Sequence, residues 1–396
     1  MLITVAVLAL LTLASAAAVM VAPVRWAHAV IWVLVLQNAV VIIMWKATGS
    51  DDFARNLLYA KEVIIAGGSI VAILAALREA RAGRLPLVMW LVVAFGVLCA
   101  LWIPISYVNH EGLEQIARGL RSLVFPVLLL AIGALLIKTL SAAYSLRTTL
   151  WWTAVLLGVT AVIERSFIPL PFWLSIGLSH YWIQVRGQAA SMLNGGLPWN
   201  FYVPLFGSVV RRAFGIMTDP LGLSYYLLLP LGLATAEVWR ARATEGRWPW
   251  LAVAAAVASA VGITFSLSRV PILIAALLTV AGPVVALGVT RERWRQVGGY
   301  VAASAVAFVI VLGVAAVASP RVGPADLAAQ APIDLGSEGS HQATLARAAD
   351  IRPLVLGQGL GTAGYLSSKY ASSGATIGYE NPYLDAAAQV SLLGGL

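Results

Sequence analysis

Arginine occurs in this chain where apolar sequence tolerates it least. The stretches Val209-Val210-Arg211-Arg212-Ala213-Phe214-Gly215 and Ser266-Leu267-Ser268-Arg269 set guanidinium groups beside long apolar runs. A cation held at mid-membrane costs roughly 3 kcal/mol or more, so an arginine kept there usually has a role. Its planar fork of donors suits phosphate and diphosphate oxygens. These residues imply a membrane protein that handles an anionic, lipid-linked substrate. Arg165 and Arg186 are secondary cationic candidates, and Arg347 and Arg352 are a further pair. A proton acceptor is offered by Glu380, which precedes Asn381-Pro382-Tyr383; Asp219, His341 and Asp385 are weaker candidates. Each has a plain alternative. Arg211 and Arg212 would snorkel to headgroups in any membrane protein. Arg269 would mark a tight turn, and Asp219 and Glu380 would sit at helix N-termini, where Asp219-Pro220 and Asn381-Pro382 open a helix.

The surrounding sequence must position these groups in lipid. Of 396 residues, 60% are hydrophobic and 11% are charged, with a mean hydropathy of +0.88. A soluble protein carries about 25% charged residues. Apolar runs of about 20 residues recur, the mark of a polytopic all-α membrane protein. About eleven spans are expected: 2–22, 27–45, 58–77, 85–106, 119–140, 149–164, 220–239, 248–268, 270–290, 297–318 and 382–396. The first lacks a basic leader and reads as a retained helix rather than a signal peptide. The last is short for a crossing and reads as a cut sequence or an unfinished terminal helix. The chain then divides into amino-terminal spans (1–164), a first long loop (165–219), central spans (220–318), a second long loop (319–381) and the start of a last span (382–396).

The formal charge of +9 does not point to nucleic acid, because the basic residues sit mainly in short loops between spans. Arg25, Arg78, Arg81, Arg84, Lys138, Arg147, Arg240, Arg242, Arg247, Arg291, Arg293 and Arg295 fall in alternate loops, which the positive-inside rule makes cytoplasmic. Both long loops then lie outside, where length argues for binding or catalysis. The first holds aromatic rings that stack on sugars or sit at a membrane interface, and 172–185 reads as an interfacial helix. The second carries Gly357-Gln358-Gly359-Leu360-Gly361, which follows no βαβ pattern and is not a nucleotide-binding loop. One cysteine, Cys99, and four scattered histidines offer no disulfide framework and no metal site.

Three pieces in order carry a resemblance: Arg212-Ala-Phe-Gly-Ile-Met-Thr-Asp-Pro-Leu-Gly, then Thr264-Phe-Ser-Leu-Ser-Arg269, then Arg347 to Arg352-Pro353 with Gly357-Gln-Gly-Leu-Gly-Thr362 and Glu380-Asn-Pro-Tyr-Leu384. Together, over about residues 205–396, they resemble the O-antigen ligase and O-antigen polymerase superfamily of bacterial envelope glycosyltransferases. The resemblance implies a GT-C-type enzyme in the bacterial inner membrane with its active site facing the periplasm. It implies a donor glycan on undecaprenyl diphosphate, a glycan or lipid acceptor and chain-length regulators as partners. It implies no cofactor, neither nucleotide sugar nor metal, because arginines hold the diphosphate. One departure is plain: ligases usually show His-Asn or a close variant where this chain reads Glu380-Asn381, and Ser391 stands where a glycine is expected. That favours a repeat-unit polymerase, or a ligase relative with another acceptor.

Transfer from a lipid diphosphate needs cations where the leaving group gains charge. It also needs a base within reach of the acceptor hydroxyl. The expected cations are Arg211 or Arg212 and Arg269, with Glu380 as base; Arg165, Arg186, Arg347, Arg352 and Tyr383 would contact diphosphate or glycan. The rival from another class is a lipid-linked oligosaccharide transporter or flippase without bond chemistry, which should show repeated halves or broken helices. A peptidoglycan glycosyltransferase of the elongation type is a third reading, disfavoured by the order of the motifs.

Overall fold

A computed structural model describes residues 2–108, 113–188, 193–205, 208–288 and 294–318. Arg347, Arg352, Glu380, Tyr383, the second long loop and the final apolar stretch lie outside the described residues.

The described chain is largely helical and is that of a multi-pass membrane protein. Six of its helices are long and apolar enough to cross a membrane, and four further apolar stretches are shorter. It packs as two compact units. One contains residues 2–23 and 62–138. Its helices are α1 (Leu2–Val21), most of α4 (Ala60–Arg81), α5 (Leu87–Val108) and α6 (Leu113–Leu136). Here Ser15 Oγ donates to the Ile64 carbonyl at 2.6 Å, and Gly67 lets α1 and α4 approach so closely that a Cβ would stand 2.6 Å from Thr12 O. At one end of this unit Lys138 Nζ lies 3.0 Å from Glu79.

The second unit, residues 24–61 and 139–318 among those described, holds the candidate site. It comprises α2 (Pro23–Thr48), the short α3 (Asp51–Leu58), α7 (Leu140–Phe167), α10 (Pro220–Glu245), α11 (Trp250–Phe265), α12 (Arg269–Leu287) and α13 (Trp294–Ala318). Lipid tails are as apolar as leucine, so small residues that bring backbones together drive this packing. Its core is accordingly rich in alanine, with Ala154, Ala161, Ala234, Ala255 and Ala275 fully buried. A Cβ on Gly158 of α7 would strike the Ala258 carbonyl of α11. A Cβ on Gly262 would stand 2.5 Å from Leu227 of α10. Sequence chemistry fixes several ends. Asp219 accepts from Leu221 N–H at 3.1 Å with Pro220 behind it, starting α10. Thr139 caps α7 and Ser50 caps α3 in the same way.

The span expected at 58–77 corresponds to α4 (Ala60–Arg81), which follows the short α3 after a turn at Tyr59. The first long loop is a folded cap rather than one interfacial helix over 172–185. It runs through α8 (Leu170–Ser175), α9 (Leu178–His180) and a π-helical turn (Tyr181–Val185), then two hairpins, β1 (Leu193–Asn194) with β2 (Leu197–Pro198) and β3 (Tyr202–Leu205) with β4 (Ser208–Arg211). Gly177, at φ +94°, breaks the helix expected over 172–185, and Gly195 and Gly196 turn the first hairpin at positive φ.

Candidate functional site

The second hairpin delivers the first arginine stretch. Its register sets Arg211 opposite Tyr202. Three successive amides then find partners on three different elements. Arg212 N–H donates to Phe201 O at 2.7 Å, Ala213 N–H to Phe265 O at 2.9 Å, and Phe214 N–H to Glu164 Oε2 at 3.1 Å. The segment is thereby pinned to the cap, to the end of α11 and to the end of α7. Gly215 follows at φ +53°, where a Cβ would meet Thr160 Oγ1 of α7 at 3.2 Å.

The Arg211 side chain turns inward and forms an ion pair with Glu164. It also donates to Ile168 O at 3.0 Å. Glu164 is 1% exposed and Arg211 7%. Burying ions costs several kcal/mol apiece, offset only when their hydrogen bonds are well met. The Glu164 carboxylate meets that condition by accepting from both Arg211 and Phe214. Arg165 is buried beside the pair, and the charges acting on it are Arg211 and Glu164. This triad therefore carries two guanidiniums and one carboxylate, a net charge of +1.

The second arginine stretch joins this node through the Ala213–Phe265 hydrogen bond, because Phe265 closes α11 and Arg269 opens α12 four residues on. Arg269 is exposed and forms no ion pair among the described residues. Arg212 is half-buried. Two non-glycine residues flank the junction in the left-handed region, Thr218 at φ 54° and Leu267 at φ 51°. Such backbone costs on the order of 1–3 kcal/mol and gathers at functional sites.

The rings of the cap pack on one another. Trp173 and Phe214 lie 4.9 Å apart, Phe214 and Phe201 5.0 Å, Phe201 and Trp182 5.6 Å, and Trp182 and Tyr181 5.8 Å. Tyr181, Trp182, Phe201, Tyr202 and Phe214 are buried, so these rings are the core of the cap. Phe167 and Phe172 remain exposed. Arg186 ends the π-helical turn with its guanidinium 5.2 Å from the centre of the Trp182 ring.

A second polar cluster ties this cap to the chain near α3. His180 Nε2 lies 2.7 Å from Asp51 Oδ1, which also accepts from Trp45 Nε1 at 2.8 Å. The Trp45 ring stacks on the imidazole with centroids 4.3 Å apart. Lys46 Nζ donates to Ser175 O at 3.1 Å and Arg55 Nε to Gln184 O at 2.8 Å. Asn38 bridges the same region, accepting from the Tyr181 hydroxyl at 2.9 Å and donating to Met217 O at 2.5 Å.

Of the residues singled out in the sequence, Arg165, Arg211 and Arg212 lie at the α7 end, and Arg269 opens α12 four residues after Phe265, the partner of Ala213. Arg186 belongs to the cap beside them. Glu164 and the Asp51–His180 pair were not among those residues. An ionisable pair, Glu164-Arg165, closing an apolar span is the signal that points to the first. No family model matches this chain, and neither a curated protein nor a solved structure matches it closely enough to name a relative.

Proposed function

We propose that this protein is a membrane glycosyltransferase of the GT-C type that transfers or polymerises glycan carried on undecaprenyl diphosphate. It works on the periplasmic side of the bacterial inner membrane in O-antigen or exopolysaccharide assembly. One observation carries the reading: the first arginine stretch is hydrogen-bonded, from Ala213 N–H to Phe265 O, to the residue that leads into the second, beside the buried Arg211–Glu164 pair. Arg211 has its fork turned to Glu164 and Ile168 O, so its role here is to hold the segment. Arg212 and Arg269, which are less buried, are the groups that meet the diphosphate. As the anomeric C–O bond breaks, their charge stabilises the diphosphate more in the transition state than in the ground state. The acceptor hydroxyl attacks from the opposite face and inverts the anomeric centre.

The test is transfer by the purified protein from an undecaprenyl-diphosphate-linked oligosaccharide, with Arg269→Ala and Arg212→Ala as variants. Both variants should fold normally and lose transfer by about 100-fold, the scale of one lost electrostatic donor. Variants that transfer at the wild-type rate would remove the arginines from the site.

A further inference from the structure

We propose that Asp51 and His180 form an orienting dyad in which His180 Nδ1 accepts the proton of the acceptor hydroxyl. The inference rests on the transferase reading above and names a base for it among the described residues. A carboxylate only accepts hydrogen bonds, so the 2.7 Å contact requires a proton on His180 Nε2. In the neutral ring that leaves the lone pair on Nδ1. Stacking on Trp45 fixes the plane of the imidazole, and Trp45 Nε1 and the capped N-terminus of α3 fix Asp51. An oriented imidazole with a carboxylate behind it is the arrangement that makes histidine a directed base.

A second histidine provides the contrast. His28 spends both ring nitrogens on hydroxyls, Ser145 at 2.9 Å and Thr149 at 2.6 Å, as a structural histidine does. His180 spends one. Its Nδ1 has no partner among the described residues, and the side chain is 37% exposed. It also stands in the cap whose buried rings run from Tyr181 to Phe214, the residue under the Arg211 guanidinium. Asp51 faces it from α3; Arg55 of α3 and Lys46 of α2 bond the cap backbone at Gln184 and Ser175, and Arg186 ends the turn that follows it.

The step balances without a co-reactant. The acceptor O–H proton passes to Nδ1 and the acceptor oxygen bonds the anomeric carbon. The anomeric C–O bond breaks, and its electron pair leaves on the undecaprenyl diphosphate. Asp51 stays ionised throughout.

The experiment is the pH dependence of transfer from an undecaprenyl-diphosphate-linked oligosaccharide by wild type, His180→Gln, Asp51→Asn, Glu380→Gln and Lys46→Ala. His180→Gln should lose at least about 100-fold and its acidic limb, the scale of one general base. Asp51→Asn should lose less, because asparagine keeps an acceptor for Nε2–H but not the charge that faces the imidazolium. Glu380→Gln and Lys46→Ala should keep the limb. Nitrogen-labelled histidine NMR gives a readout independent of turnover: with four histidines, the His180 signal is the one missing in His180→Gln, and it should report a proton on Nε2. Transfer by His180→Gln with an intact limb, loss of the limb in Glu380→Gln instead, or a proton on Nδ1 would overturn the dyad while leaving the transferase reading standing. A wild type without transfer would overturn both.

Discussion

Replacing Glu164 by glutamine changes one atom and, with it, the charge of the buried triad from +1 to +2. In the wild type one oxygen of the carboxylate accepts from Arg211 and the other from Phe214 N–H at 3.1 Å. Glutamine keeps one acceptor. Its amide NH2 must then face either the guanidinium or the backbone N–H, donor against donor. The lost charge-assisted bond is worth about 1.5–3 kcal/mol, and the stranded donor about 1–3 kcal/mol more. Breaking a buried pair by removing one partner costs about 3–5 kcal/mol, in the same range. Arg211→Met should cost less, roughly 2 kcal/mol. Glu164 then keeps Phe214 N–H and the neighbouring charge of Arg165. The double variant returns the local charge to +1 and should fall short of the additive loss by about 2 kcal/mol, as residues in one buried network do. Thermal unfolding in detergent reads this out. Glu164→Gln should lower Tm by on the order of 10 °C, at about 2–4 °C per kcal/mol for a unit of this size. A Tm within about 2 °C of wild type, or additive losses in the double variant, would refute the claim that this pair holds the arginine segment.

Three further outcomes follow from the packing. Gly158→Ala should force α7 and α11 apart at the Ala258 carbonyl and cost about 1–3 kcal/mol, read as a lower Tm; a neutral result would mean the helices slide at no cost. Leu267→Asn suits the left-handed backbone at φ 51° and should hold or raise stability by up to about 1 kcal/mol while lowering transfer, so unchanged activity would separate the strain from the site. Burial pushes the Tyr181 phenol above its ordinary value of 10.0. Its contribution to stability is therefore whole below about pH 10 and is lost as pH rises beyond it, since the unfolded phenol ionises first. Tyr181→Phe should lose about 1 kcal/mol with the bond to Asn38 and show a flatter alkaline stability profile than wild type.

Much of the membrane architecture is legible in the sequence because it rests on local signals. Apolar runs long enough to span, the Asp219-Pro220 start of α10 and the break before Arg269 are all short-range features. The cap is different. Its strands have two to four residues, too short for a period to register, and Gly177 interrupts the single helix expected over 172–185. The aromatic spacing of this region does not tell a membrane interface from a small core; burial of Trp182 and Phe201 does. The site was legible in residue type and not in partnership. Arg211 stands out as a cation in an apolar stretch, but its pairing with Glu164 spans 47 positions and that of His180 with Asp51 spans 129. Nothing local encodes either. The hydrogen bond from Ala213 to Phe265 likewise exists only once α7, α10 and α11 have packed.

Bond chemistry on a lipid-linked glycan separates an enzyme from a transporter, and one reconstitution decides between them. Purified protein in vesicles is given a labelled undecaprenyl-diphosphate-linked oligosaccharide with a chelator and no nucleotide, and products are followed by gel and mass spectrometry. A ladder of lengthened lipid-linked glycan, or transfer when a separate saccharide acceptor is added, is the expected outcome. Absence of transfer to any acceptor, with the labelled lipid crossing the bilayer unchanged, would contradict it and make the protein a transporter.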